Sequence, residues 1–415
     1  MLPLVETNSE KLDKYKNLVS LKILKEIRIL SKQLKGLKVF HVNATPRGGG
    51  VAEILKSLVP LMRGVGLNAE WYTIPARNSF FKITKEIHNA LQGKSYKFSF
   101  ADRKKYILHM AKTAELMGDM KPDVWVIHDP QPAGVIMFLP DFYPAISRIH
   151  IDLTSPNMEV WKFVASFLEC YDKVIFSSND FVHGEIKNKA KIIQPAIDIL
   201  NPKNKPLPID KANDIIRTFG VNPDKPLITQ VSRFDPWKDP LGVIEAYKIA
   251  KKKIPDLQLA MVGLILAKDD PEAEKIYAET KKKAESDPDI FLFADTSKLG
   301  SLKVSTFVNA FQVSSDIIIQ KSIREGFGMT VAEAMWKEKA VIAGKVGGIK
   351  LQIKNGKNGF LVSSSKETAK RIVQLIENPA LAKKLGKEAK KTIKEKFLMP
   401  RLLRDYLKLF KELRK

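Results

Sequence analysis

Residues 226–240, PLITQVSRFDPWKDP, decide the fold. The first seven form a short apolar run of the kind that fills a buried strand, and a polar, proline-punctuated loop follows at once. Four strand-like runs also follow the first one, LKVFHVN (37–43): AEWYTI (69–74), DVWVIHD (123–129), SRIHID (147–152) and KVIFSS (173–178). Helical patterns such as VAEILKSLVPLM (51–62) lie between them. The series restarts at 226–232 and continues through 257–263, 289–295, 316–320, 340–344 and 359–362. Strands alternating with helices predict α/β architecture with parallel sheets covered on both faces, here twice over: two Rossmann-like, doubly wound domains facing across a cleft.

Between the two series, residues 192–210 carry four prolines and little periodicity, which reads as a linker. The expected organisation is a first domain over 1–195, a linker over 196–215 and a second domain over 216–395. The amphipathic segment 396–415 is expected to cross back to the first domain. A chain of 415 residues is long for one core, in keeping with two domains.

Net charge is +24, with 44 % hydrophobic and 28 % charged residues. Such a basic balance suits nucleic acid, an anionic membrane or small phosphorylated substrates. The lysines are scattered along helices, as in KKTIKEKF (390–397), with few aromatics among them. A solvated, heat-adapted surface is therefore expected rather than a nucleic-acid groove. The single cysteine, Cys170, excludes an intramolecular disulfide framework and a cysteine-based zinc site. No run approaches the roughly 20 apolar residues of a membrane span. The opening MLPLVETNSEKLDKY lacks the basic-then-apolar order of a signal peptide, so a soluble, cytoplasmic protein is expected.

Open parallel sheets bind ligands beyond the carboxyl ends of their strands, and the unusual residues fall there. After 226–232, Arg233 and Lys238 stand five apart on a loop, suited to two cations converging on a diphosphate. In REGFGMTVAEAMW (324–336), Gly326, Phe327 and Gly328 lead into a helix whose first N–H groups, near Met329 and Thr330, offer that diphosphate a second anchor. Glu325 would then sit beside the group attached to the phosphate. Glu333 could grip a ribose hydroxyl pair, since each carboxylate oxygen accepts one hydrogen bond. After 37–43, Gly48, Gly49 and Gly50 allow close approach to backbone N–H groups without matching the dinucleotide fingerprint. His128, Asp129, His150 and Asp152 follow strands of the first series. No three of them have ligand spacing on one helix, so sugar hydroxyls rather than a metal are expected there. His41 and His183 read as core or surface residues. No G-x-S-x-G elbow, Walker loop or kinase signature is present.

EGFG-x-T-x-x-E, SRFDPWKDP and GGGVAE together resemble the retaining glycosyltransferases of the GT-B fold, the broad group of glycogen and sucrose synthases. HVNATPRGGGVAEIL, VIHDPQP, RIHIDLTSPN, QPAIDILNPKN and QKSIREGFGMTVAEAMW resemble, more narrowly, the trehalose glycosyltransferring synthases. The resemblance spans both domains, from about residue 39 to residue 349, with Met329 where leucine is common and Lys345 before VGGI as departures. It implies transfer of glucose from a nucleoside-diphosphate glucose, ADP- or UDP-glucose, to free glucose, giving trehalose with retention. It also implies roles: Arg233 and Lys238 for the diphosphate, Glu325 for the donor sugar, Glu333 for ribose, Gly49 and Gly50 for a loop closing over phosphates, and His150 for an active-site histidine. No permanently bound cofactor, metal, nucleic acid or membrane partner is expected; a homodimer stays open. Three other readings also stay open: a nucleotide-sugar epimerase, which leaves HIDLTSPN unexplained, a hexosyltransferase with another acceptor, and a basic nucleic-acid-binding protein.

Overall fold

In the computed structural model the chain forms two compact units, Met1–Ala196 with Leu398–Lys415, and Ile197–Phe397. The structure describes residues 1–139, 141–263, 271–285 and 287–414, so Lys415, the end of the segment expected to cross back, lies outside the described residues.

The first unit is built on a parallel sheet of six strands: β1 Lys38–Asn43, β2 Asn68–Thr73, β3 Val124–His128, β4 Ala145–Arg148, β5 Lys173–Phe176 and β6 Ala190–Ile192. Their order is β2-β1-β3-β4-β5-β6. All five residues of β3 are buried, because helices cover both faces and leave no polar side to alternate with. Register sets the ligand end: His128 lies opposite Arg148 in the β3–β4 pair, so the segments that follow both strands emerge side by side.

One helix of this unit, Met399–Leu413, comes from beyond the second unit in sequence. Leu402, Leu403, Tyr406, Leu407 and Phe410 form its buried stripe, packed on helices Leu21–Gln33 and Gly50–Gly64. Burial of each such side chain stabilises by about 1.5–3 kcal/mol. The Arg401 guanidinium donates to the carbonyls of Gln194 and Pro195 at 2.7 and 2.6 Å and so ties the helix to the unit's preceding chain.

The second unit repeats the plan with β7 Leu227–Val231, β8 Gln258–Val262, β9 Ile290–Phe293, β10 Ile317–Gln320, β11 Ala340–Gly344 and β12 Phe360–Val362, ordered β12-β11-β10-β7-β8-β9. β7 and β10 are adjacent and central, so the loops after them meet.

Three details depart from the sequence-based expectations. β4 ends at Arg148 instead of running through 147–152, because the N–H of His150 is taken by the Asp129 carboxylate at 2.7 Å and not by a neighbouring strand. β6 has only three residues, none fully buried, too short to stand out from the proline-rich stretch beside it. The helix Ile209–Thr218 begins inside the expected linker 196–215, with Ala212 and Ile216 buried.

Candidate active site

In the second unit, the loop after β7 and the loop after β10 are fastened together at three points. The N–H of Ile323 donates to Trp237 O at 2.9 Å, Lys321 Nζ pairs with the Asp239 carboxylate, and Lys238 Nζ lies 2.6 Å from Glu325 Oε2. Gln230, the fourth residue of β7, donates to Lys238 O at 3.0 Å and holds that loop from below. Ser322 Oγ also reaches Glu325 Oε2, at 3.3 Å. The sequence places Lys238 and Glu325 far apart, and the fold makes them an ion pair.

The glycines of the second loop have a packing reason. Gly328 caps helix Met329–Trp336 with φ of 89°, a conformation that a side chain strains. A Cβ on Gly348 would overlap the backbone of Gly326 and Phe327. Gln352 Nε2 donates to Phe327 O at 2.6 Å and to Gly328 O at 3.2 Å, so the loop is held from a third segment. Thr330 Oγ1 donates to Gln320 Oε1 at 3.1 Å, tying the helix start to β10.

Two residues expected to act alike are placed differently. Arg233 is about half exposed and lies 3.5 Å from Asp235, whereas Lys238 is turned to Glu325. Glu333 is buried at 1 % exposure, with Oε1 2.7 Å from Lys203 Nζ. Among the described residues no partner reaches Glu333 Oε2. Lys203 was not singled out by the sequence; its only signal was a charge inside NPKN, in the stretch read as linker. Nearby, burial pushes the Lys337 ammonium down to about 7, with Lys203 repelling it and Glu333 partly offsetting the shift.

In the first unit, the predicted set gathers at the ends of β3 and β4. Asp129 follows β3 with φ of 66°, and its Oδ1 accepts the His150 N–H. Burial pushes the Asp129 carboxyl up to about 7, against the lowering effect of that N–H and of Arg148. Asp152 Oδ1 accepts from Thr154 N at 2.9 Å and Thr154 Oγ1 at 2.5 Å, so one carboxylate oxygen serves its own turn. His128 Nδ1 lies 3.0 Å from His150 Nε2.

His41, which the sequence left as an ordinary strand residue, belongs to this set. Its Nδ1 lies 3.0 Å from His128 Nε2, and its Nε2 lies 3.4 Å from Met62 Sδ. Burial drives the pKa of His41 down to about 3 and those of His128 and His150 well below the usual imidazole range, with the Arg148 charge adding to the effect. The signal available in sequence was weak: β1 and β3 are neighbours, and each carries a histidine in an otherwise apolar strand. His183 stands apart, with Nε2 2.8 Å from Leu153 O and its ring against Trp161.

Gly49 and Gly50 open helix Gly50–Gly64 after β1. A Cβ at Gly49 would meet nothing within 4 Å and its φ is extended, so chain packing alone does not call for glycine there. Among the described residues no three His, Cys, Asp or Glu side chains cluster as a metal site, and no helix is long and apolar enough to cross a membrane.

Two family descriptions match the chain: "Trehalose synthase, N-terminal domain" over residues 41–183, and "Glycosyl transferases group 1" over residues 212–392. The trehalose synthase of Thermococcus litoralis is 44 % identical over 402 residues, 96 % of either chain. The chain belongs to the trehalose synthase family. It is a glycosyltransferase of GT-B fold. The solved structure of an alpha,alpha-trehalose-phosphate synthase (UDP-forming) from Burkholderia xenovorans, with glucose-6-phosphate, aligns with a TM-score of 0.73 at 12 % identity, covering 91 % of this chain and 100 % of that one. A trehalose phosphorylase of Pleurotus pulmonarius is 29 % identical over 399 residues, 85 % of this chain and 54 % of that protein. Sites in this family member can thus be read as those of a sugar-transferring enzyme.

Proposed function

We propose that this family member transfers glucose from ADP- or UDP-glucose to free glucose, forms trehalose with retention of configuration, and works in the cytoplasm. The observation that carries the reading is the Lys238–Glu325 pair, a cation and a carboxylate held 2.6 Å apart by two fastened loops. An ammonium has three N–H donors, so Lys238 can keep Glu325 and still donate to a phosphate oxygen. Glu325 then lies within reach of the sugar attached to that phosphate, with its own charge screened from the diphosphate.

As the glucosyl C1–O bond to phosphate breaks, negative charge grows on the leaving diphosphate. Lys238, Arg233 and the N-terminus of helix Met329–Trp336 stabilise it, with Gly326, Phe327 and Gly328 bringing the backbone close. The acceptor hydroxyl forms the new bond at C1 and its proton passes to the departing phosphate oxygen. Glu325 holds the donor sugar and is not assigned as a nucleophile. Glu333 takes a ribose hydroxyl on Oε2 while Lys203 holds Oε1. Gly49 and Gly50 close over the phosphates, and His128, Asp129, His150 and Asp152 serve the sugars.

The test is release of nucleoside diphosphate from ADP- or UDP-glucose, with and without free glucose. Release that requires glucose and yields trehalose supports the reading; release with no disaccharide formed sinks it. Because side-chain cations are assigned to the diphosphate, activity should survive EDTA. Complete loss, restored by Mg²⁺ or Mn²⁺, would show that assignment to be wrong. The likeness to a trehalose phosphorylase favours a second reading, cleavage of trehalose by inorganic phosphate. Turnover of trehalose with phosphate but not with ADP or UDP would put that reading first.

A further inference from the structure

The structure assigns His128, His41 and Met62 as positioning residues that fix the tautomer of His150, leaving Nδ1 of His150 as a hydrogen-bond acceptor. The relay is continuous: Met62 Sδ to His41 Nε2, 3.4 Å; His41 Nδ1 to His128 Nε2, 3.0 Å; His128 Nδ1 to His150 Nε2, 3.0 Å. The rings follow one another end to end and close to coplanar, with centroids 5.3 Å apart at both steps and interplanar angles of 29° and 22°.

A neutral imidazole has one donor and one acceptor nitrogen. Three neutral rings joined by two N–H···N bonds therefore have only two proton arrangements, each the reverse of the other. Burial and the Arg148 charge keep all three rings neutral. The far end chooses between the two arrangements. A thioether sulfur accepts and cannot donate, so His41 Nε2 carries the hydrogen and gives it to Met62. His41 Nδ1 then accepts from His128 Nε2–H, His128 Nδ1 accepts from His150 Nε2–H, and His150 keeps a lone pair on Nδ1. The backbone N–H of His150, bound to Asp129, fixes the residue from its other side.

An acceptor nitrogen on a ring held neutral by burial suits an uncharged donor such as a sugar hydroxyl. That use rests on the placement of His150 beside a substrate sugar proposed above, whereas the tautomer does not. The sequence contains six histidines, few enough for ¹⁵N-histidine labelling of the full chain and long-range ¹H–¹⁵N correlation, with assignment by single His→Gln variants.

At neutral pH, without substrate, His41, His128 and His150 should each show a protonated Nε2 and an unprotonated Nδ1. M62L preserves the apolar bulk and removes the acceptor, so the ratio of the two His150 tautomers should fall by about tenfold. Turnover should fall with it while circular dichroism stays that of the parent. Protonated Nδ1 on His150 in the parent overturns the assignment, and so does an unchanged tautomer ratio in folded M62L. If the tautomers are as expected but H150A keeps the parent kcat and KM, the relay stands and the placement of His150 at a substrate falls.

Discussion

In the first unit the candidate histidines are neutral: His41 and His128, at 0 % and 1 % exposure, join His150 with no carboxylate in the relay. In the second they are ionic: Lys238 with Glu325 and Lys203 with Glu333, at 2.6 and 2.7 Å. Both arrangements bury polar atoms, and both satisfy most of them within the unit. The difference matches the two kinds of ligand proposed. A charge-free relay offers one directed hydrogen bond and no attraction for stray anions. Paired charges offer a strong field that a diphosphate can join without either partner being stranded.

The sharpest way to break the comparison is K238A. Loss of a cation that meets charge growing in the transition state should cut kcat by about a hundredfold, and R233A, at the more exposed position, by at least about tenfold. Near-parent kcat in K238A removes the diphosphate assignment. Next in size is K203A, which leaves the buried Glu333 carboxylate without its ion-pair partner and should destabilise the protein by about 2–3 kcal/mol in urea titrations. An unchanged unfolding midpoint would mean that the pair contributes nothing to folding.

A smaller effect separates the two glutamates. E325A should lose mainly kcat, since its contact with the donor sugar tightens as the bond lengthens. E333A should mainly raise the donor KM, by about tenfold, since ribose is a bystander. The opposite split would exchange the roles.

Stability should also depend on pH. His41, His128 and His150 are lowered in the folded state, so below about pH 6.5 the unfolded chain binds three protons more at these sites. Asp129, raised to about 7, acts in the opposite direction by one proton below that value, leaving two net. The first unit should therefore lose about 2.7 kcal/mol per pH unit on acidification below about 6.5. In the second unit, Lys337 is lowered to about 7, so stability should rise between about pH 7 and its unfolded value near 10.5. Amide exchange in β1–β4 and β7–β11 reads the two units separately. Equal responses to acid would mean that the histidines are not held neutral.

Periodicity made the two sheets legible, because a strand buried on both faces is written as an uninterrupted apolar run and β3 and β7 are of that kind. The end of β4 was expected four residues too far along because it is set by a side chain, Asp129, and alternation carries no trace of that bond. In the candidate site, Lys238 and Glu325 stood out by their loops, but their pairing depends on β7 and β10 being neighbours, a fact of topology. His41 and Lys203 were passed over for the same reason. Each becomes notable only through the residue across from it.

The first unit is interrupted by the whole of the second, and this orders events on the ribosome. Residues 197–397 are contiguous and can fold as soon as they emerge. The first unit must wait with its apolar faces uncovered until Met399–Leu413 has been made. Among the residues that helix brings is Tyr406, whose ring lies 6.1 Å from His41 and 5.6 Å from the Arg148 guanidinium. The unit translated first is thus completed last, and His41 gains its Tyr406 neighbour only when the returning helix arrives.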